Sequence, residues 1–186
     1  MTPQPRGRVL LLNGPSSSGK GSIGRALLPL LPDPWFLVPV DVISGLRSTV
    51  HTRQLTKDEI AEMLTRTRRG YHRAVAALAS QGNDVIMDYP LSEPWRLTDL
   101  LEVLTGYDVT LVEVRCSEAE LERRERARQD RPLGLARSQS VFEHKDRDLV
   151  VDTTNQTPEA CAQIIAESLE QLDTPKAFDR LRAAAS

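Results

Sequence analysis

Residues 11–22 read LLNGPSSSGKGS, and within them Gly14-Pro15-Ser16-Ser17-Ser18-Gly19-Lys20 fits the spacing G-x-x-x-x-G-K. Small residues let a backbone curl until successive N–H groups face one centre, and a lysine closing the curl adds a mobile full charge. That combination suits phosphate oxygens when a strand ends just before it and a helix begins just after it. The helix N-terminus then contributes its positive end. A Gly/Ser-rich turn can do no more than join a strand to a helix, but two glycines and a lysine at this spacing behind the first strand weigh against that. Gly14, Pro15, Ser16, Ser17, Ser18, Gly19, Lys20, Gly21 and Ser22 are therefore the expected nucleotide-phosphate contacts. The commonest form has Ser or Thr directly after the lysine as a magnesium ligand. Here that place is Gly21, and the first hydroxyl is displaced to Ser22.

Two carboxylates stand at the ends of apolar runs, Asp41 after FLVPV and Asp88 after DVIM. In parallel α/β folds chemistry gathers at the carboxyl ends of the strands. Asp41 is placed there to accept a proton from an attacking hydroxyl, and Asp88, with Ser22, to hold magnesium, through water if not directly. Either aspartate can also do no more than cap a helix or loop. Residues 122–139, ERRERARQDRPLGLARSQ, carry six arginines. Part of this run is a solvated helix face with ion pairs such as Glu122–Arg126. The rest reads as an arginine-rich lid spanning about 122–145, because a migrating phosphoryl group needs cations that close over it. Arg128 and Arg131, just before the Pro132-Leu133-Gly134 break, are the expected catalytic cations. Arg124, a turn earlier, is expected to stack on the base or hold phosphate. The three histidines show no metal-ligand spacing.

Positioning these groups falls to alternating elements. Strands are expected at Val9–Asn13, Trp35–Asp41, Asp84–Asp88, Val109–Cys116 and Asp148–Thr154, with Pro39 arguing against a central place for the second. Helices are expected at Lys20–Leu31, Lys57–Gln81, where apolar residues recur every three to four positions, and Thr157–Leu172, which opens with TPE. The pattern predicts an α/β fold: a three-layer parallel sheet of about five strands with helices on both faces. At 186 residues the chain is long enough for one well-buried domain, and residues 173–186 read as a loosely attached tail. Net charge is −2, so no overall field recruits nucleic acid, and no apolar run approaches the ~20 residues of a membrane span. Two cysteines without a CxxC pair, and no apolar signal core in MTPQPRGR, point to a reduced cytoplasm.

Several stretches resemble the chloramphenicol phosphotransferase family of P-loop kinases: LLNGPSSSGK, LPDPW followed by Val40-Asp41, DVIMD, VEVRCSEAELERRERARQDR, Gln139 with His144, and VDTT at 151–154. They run in order through nearly the whole chain, and GKG followed by a hydroxyl residue is similar to adenylate-kinase-type loops. The resemblance implies a fold like that of nucleoside monophosphate kinases and transfer of the γ-phosphate of ATP, with Mg2+, to a hydroxyl of a small antibiotic, giving resistance by modification. It also implies that Asp41 is the general base, with Lys20 and the lid arginines handling phosphate. Residues 42–59 depart from the family's acceptor-pocket sequence and bring Arg47, His51 and Arg53, a set suited to a more polar or anionic acceptor. Tyr89 and Trp95 offer stacking surfaces. The acceptor therefore stays open between an antibiotic and a nucleotide, sugar or cofactor precursor, and a non-catalytic nucleotide-dependent module is the alternative of another class. Oligomeric state stays open too, a homo-oligomer included.

Overall fold

Val9, Leu10, Leu11 and Leu12 are all fully buried, so the first strand must be covered on both faces. The computed structural model describes residues 5–127 and 133–185. In it β1 (Val9–Asn13) is the middle of a five-stranded parallel sheet. Its neighbours are β3 (Asp84–Asp88) and β4 (Val109–Arg115), with β2 (Trp35–Pro39) and β5 (Leu149–Asp152) at the edges. Pro39 costs little at an edge, as the sequence predicts.

Side chains alternate across the sheet. Leu10 and Leu12 meet Ile23 and Leu27 of α1 (Lys20–Leu27) and Cys161 and Ile165 of α7 (Pro158–Ser168). Val9 and Leu11 face the other way, toward Tyr71 and Val75 of α4 (Lys57–Ser80) and Leu100 of α5 (Pro94–Val103). Helices thus cover both faces in three layers, and the five expected strands are all present. A capping box fixes the start of α4: Glu59 N–H donates to Thr56 Oγ1, while Glu59 Oε2 accepts from Thr56 N–H.

Some boundaries differ from expectation. The helix after the phosphate loop ends at Leu27 rather than Leu31, with a proline at position 29. The second strand stops at Pro39, and Val40–Gly45 turn into α2, followed by the short α3 (Thr49–Thr52). The third expected helix ends at Ser168 and tightens into a 3-10 turn, Leu169–Gln171. A further helix, α5, is absent from the sequence reading, although Pro94 at its first turn is a start signal. α6 spans Glu118–Ala127.

The expected loose tail is corrected. α8 (Ala177–Ala185) docks on the α4–α5 face, with Ala177 and Phe178 buried. Asp148, itself buried, accepts from the Ala177 and Leu111 N–H groups, and Arg182 donates to the Leu101 and Leu104 carbonyls. Removing the Phe178 ring should therefore act as a core truncation. Phe178→Ala is expected to lower unfolding free energy by about 3–5 kcal/mol, read as the urea midpoint. A loss below about 1 kcal/mol would restore the loose-tail reading.

Candidate active site

Parallel register decides what meets at the carboxyl edge of the sheet. Asp88 is level with Leu12 on one side and Pro39 on the other. The loop after β1, the end of β3 and the turn from β2 into α2 must therefore share one crevice. Its lining includes Ser16, Gly19, Lys20, Asp41, Asp88 and Gln139, around a cleft of about 460 Å³.

The loop itself curls as its composition demands. Gly19 lies in the left-handed region at φ 93°, Ser17 joins it at φ 63°, and α1 starts at Lys20. Gly14 is required by a close approach: a Cβ there would stand 2.5 Å from the Val114 carbonyl oxygen. The backbone N–H groups of Ser17 and Gly19 make no backbone hydrogen bond among the described residues. The hydroxyls of Ser17 and Ser18 are buried and have no partner there either. Buried donors left open in a loop just ahead of a helix N-terminus fit a set of phosphate oxygens. Lys20 folds back onto its own loop, with Nζ donating to the Gly14 and Pro15 carbonyls at 2.9 Å each.

Gly21 now has a physical reason. A Cβ on it would lie 2.8 Å from Asp88 Oδ2, so a side chain there requires the carboxylate at the end of β3 to turn aside. The other oxygen, Asp88 Oδ1, lies 3.8 Å from Lys20 Nζ. Ser22 Oγ accepts from Arg25 Nη2 at 3.3 Å. Hard oxygen donors suit magnesium, which keeps waters and uses one or two protein oxygens beside substrate phosphates. Asp88 at the phosphate loop fits that donor set, with Ser22 half-buried one residue past Gly21. No group of three or more His, Cys, Asp or Glu residues that could hold a metal exists among the described residues.

Asp41 lies in the same cleft, but in the first turn of α2 rather than at a strand end. Its carboxylate is exposed there. Arg124 is half-buried and braces the phosphate loop from outside. It donates to Ser17 O (3.3 Å), Thr153 Oγ1 (3.1 Å) and Thr153 O (2.7 Å), and pairs with Glu120 at 2.7 Å. It also lines a second hollow with Gly19, Thr153 and Gln156. Arg128 and Arg131 lie outside the described residues. Tyr89 is fully buried and offers no open stacking face. Trp95 is half-buried, its indole N–H donating to Glu93 at 2.7 Å. Arg47, His51 and Arg53 are exposed and do not line the cleft.

Gln139, Arg68 and Arg96 line the cleft without a site role assigned to them from sequence, and Asn13 supports it from the end of β1. Gln139 Oε1 accepts from Ser16 N–H at 2.6 Å, standing where an anion's oxygen would. Asn13, buried at the end of β1, donates to Val141 O (2.7 Å) and accepts from Leu91 N–H (2.9 Å), tying two loops to the strand end. Arg68 enters the lining from α4 and Arg96 from α5. Burial lowers the Arg68 pKa below its ordinary value, and the like charge of Arg96 lowers it further. No helix among the described residues is long and apolar enough to cross a membrane.

Comparison with known proteins adds three findings. The family model for chloramphenicol phosphotransferase-like proteins matches residues 7–170. A curated protein of Mycobacterium tuberculosis, named "Putative O-phosphotransferase", is 30% identical over 98% of this chain and 91% of its own length. Among solved structures, the APS kinase CysC of Mycobacterium tuberculosis aligns with a TM-score of 0.68 at 20% identity. That alignment covers 89% of this chain and 99% of the kinase. A gluconokinase from Sinorhizobium meliloti aligns at 0.61 and 18%, covering 98% and 99%. The fold is thus that of the P-loop kinases.

Because Asp88 fills the space beside position 21, Gly21→Ala should weaken nucleotide binding at least roughly tenfold through a displaced loop. The second change Asp88→Ala should recover much of that loss. Affinity for an ATP analogue without magnesium, measured in both variants and the double variant, checks the coupling; simple additivity would refute it.

Proposed function

The chain belongs to the chloramphenicol phosphotransferase-like family, and from that premise we propose that it is a kinase moving the γ-phosphate of ATP to a hydroxyl of a small molecule. The observation that carries this reading is the meeting of Lys20, Asp88 and Asp41 around one cleft beside a loop with open donors.

In this reading the β- and γ-phosphates take up the Ser17 and Gly19 N–H groups and the Ser17 and Ser18 hydroxyls. Lys20 turns from the Gly14 and Pro15 carbonyls to the phosphates. Arg124, braced against Thr153, borders the base. Asp88 and Ser22 would hold magnesium, through water where they do not reach it, and the ion would supply positive charge against that of the phosphates. The acceptor oxygen bonds to the γ-phosphorus as the bond to the β-bridging oxygen breaks, ADP leaves, and Asp41 receives the hydroxyl proton. Arg128 and Arg131, in a lid over about 122–145, meet the charge of the moving phosphoryl group.

The family description supports an antibiotic acceptor, with resistance as the consequence. Arg68 and Arg96 in the cleft favour a second acceptor class, a charged metabolite such as a nucleotide, sugar phosphate or cofactor precursor. Two cysteines outside any disulfide support a reduced cytoplasm as the setting. The test is transfer from labelled ATP to a panel of antibiotics and hydroxylated metabolites. Nucleotide binding without acceptor-dependent turnover across the panel would favour the regulatory module instead.

Two substitutions separate the roles. Lys20→Ala is expected to cut turnover by roughly 10²-fold or more with the fold intact by circular dichroism. Near-normal turnover in that variant would refute the role of the loop. Asp41→Asn keeps the shape and loses the basicity; turnover should fall by roughly 10²-fold while ATP affinity changes by less than about threefold. Loss of ATP affinity with turnover preserved would make Asp41 a structural or metal residue.

A further inference from the structure

The cleft is lined from α4 and α5 by two arginines that the proposed transfer step leaves unused. Arg96 is held in place from behind. Its Nε donates to Glu93 at 3.1 Å, its Nη1 donates to the Pro90 carbonyl at 2.8 Å, and its Cζ lies 5.5 Å from the centre of the Tyr89 ring. The residue is only 4% exposed, yet it lines the cleft, and its Nη2 has no hydrogen bond among the described residues. Arg68 reaches the same space from α4, half-buried, with no hydrogen bond or ion pair among the described residues.

Two like charges in a partly dry space oppose each other. Burial lowers the Arg68 pKa, Arg96 adds to that, and Glu93 and Asp41 act in the opposite sense. Desolvated charge of one sign is costly unless an opposite charge arrives with matching donors and acceptors. A guanidinium fork matches the oxygens of a phosphate, and a fixed one loses little freedom on binding. The nucleotide phosphates already have the loop, Lys20 and the start of α1. A neutral aromatic acceptor would bury Arg68 without a paired opposite charge and leave Arg96 with Glu93 alone.

We infer that the acceptor carries, besides its reacting hydroxyl, an anionic group of the phosphate class, and that Arg68 and Arg96 bind it. This rests on the cleft being the acceptor site of a kinase. The acceptor then spans the cleft, with its anion on the α4–α5 wall and its hydroxyl toward Asp41 and the γ-phosphate. Arg47, His51 and Arg53, the basic residues expected from sequence to greet such an acceptor, stand outside this contact.

The full chain saturated with AMPPNP and magnesium, so that the phosphate loop is filled, would be titrated with inorganic sulfate. Trp95, whose ring centre is 6.0 Å from Arg96 Cζ, supplies the fluorescence signal in a Trp35→Phe background. A saturable response is expected. Arg68→Gln should weaken sulfate at least roughly tenfold, Arg68→Lys less, and the exposed Arg47→Gln not at all. Turnover with paired acceptors is the second arm: a sugar phosphate should exceed its parent sugar in kcat/KM by roughly 10²-fold. A hydroxy acid tested beside it separates carboxylate from phosphate, and preference for the acid would overturn the phosphate class. An unsaturable sulfate response would overturn the inference, as would neutral parents reacting as well as their esters. If Arg68→Gln lowered AMPPNP affinity instead of sulfate affinity, the arginine would serve the donor and the inference would fall. Failure of AMPPNP to bind the unaltered chain would remove the kinase reading itself, and it is seen before any sulfate is added.

Discussion

The cleft depends on one carboxylate set against one glycine. Asp88 ends the strand next to the central one, and its oxygens fill the space beside position 21 while approaching the Lys20 ammonium. A side chain at 21 would push the carboxylate off or lift the helix. Glycine there lets strand end, lysine and helix start share a few ångströms. It also explains why the hydroxyl that usually follows the lysine is displaced by one residue. The phosphate handling, metal placement and acceptor activation proposed above would all be arranged around this same strand edge.

Around that contact the loop is clasped from outside rather than filled from within. Thr153 donates to Ser18 O at 2.9 Å, Arg124 braces Ser17 O and Thr153 O, and Gln139 occupies the Ser16 N–H. Glu125, buried, accepts from the Gly134 and Ala136 N–H groups and so anchors the chain returning toward Gln139. Protein oxygens on Lys20 and on Ser16 N–H keep these donors satisfied without a nucleotide.

The α4–α5 side of the cleft has its own support. Tyr71 donates to the Val38 carbonyl at 2.7 Å, linking α4 to β2, and Tyr89 packs within 5.2 Å of Tyr71 and 5.0 Å of His72, centre to centre. His72 Nδ1 lies 2.5 Å from Asp99, which also pairs with Arg73 at 2.9 Å. Burial pulls the His72 pKa below its ordinary value despite Asp99, and it drives both tyrosine hydroxyls upward. The wall beneath Arg96 is thus uncharged aromatic packing tied to one buried carboxylate. Such packing holds a guanidinium at a fixed angle.

Much of this was legible in the chain itself. The phosphate loop, the five strands, the edge place of the proline-bearing strand and the long capped helix follow from local spacing and propensity, which act within a few residues of where they are written. The register of Asp88 did not follow, nor did the displacement of Asp41 onto the first turn of a helix. Residues 173–186 look polar and detachable in sequence, yet Phe178 finds a core built by α4 and α5. Arg124, expected from sequence to contact the nucleotide, donates to Ser17 O and Thr153 and braces the loop. Arg68 falls within the expected long helix without a role assigned there, and Arg96 lies in a helix that the sequence reading lacks. Only the packing of α4 and α5 against one sheet face turns both toward the cleft, because a helix's polar face is defined by its neighbours and not by its own sequence.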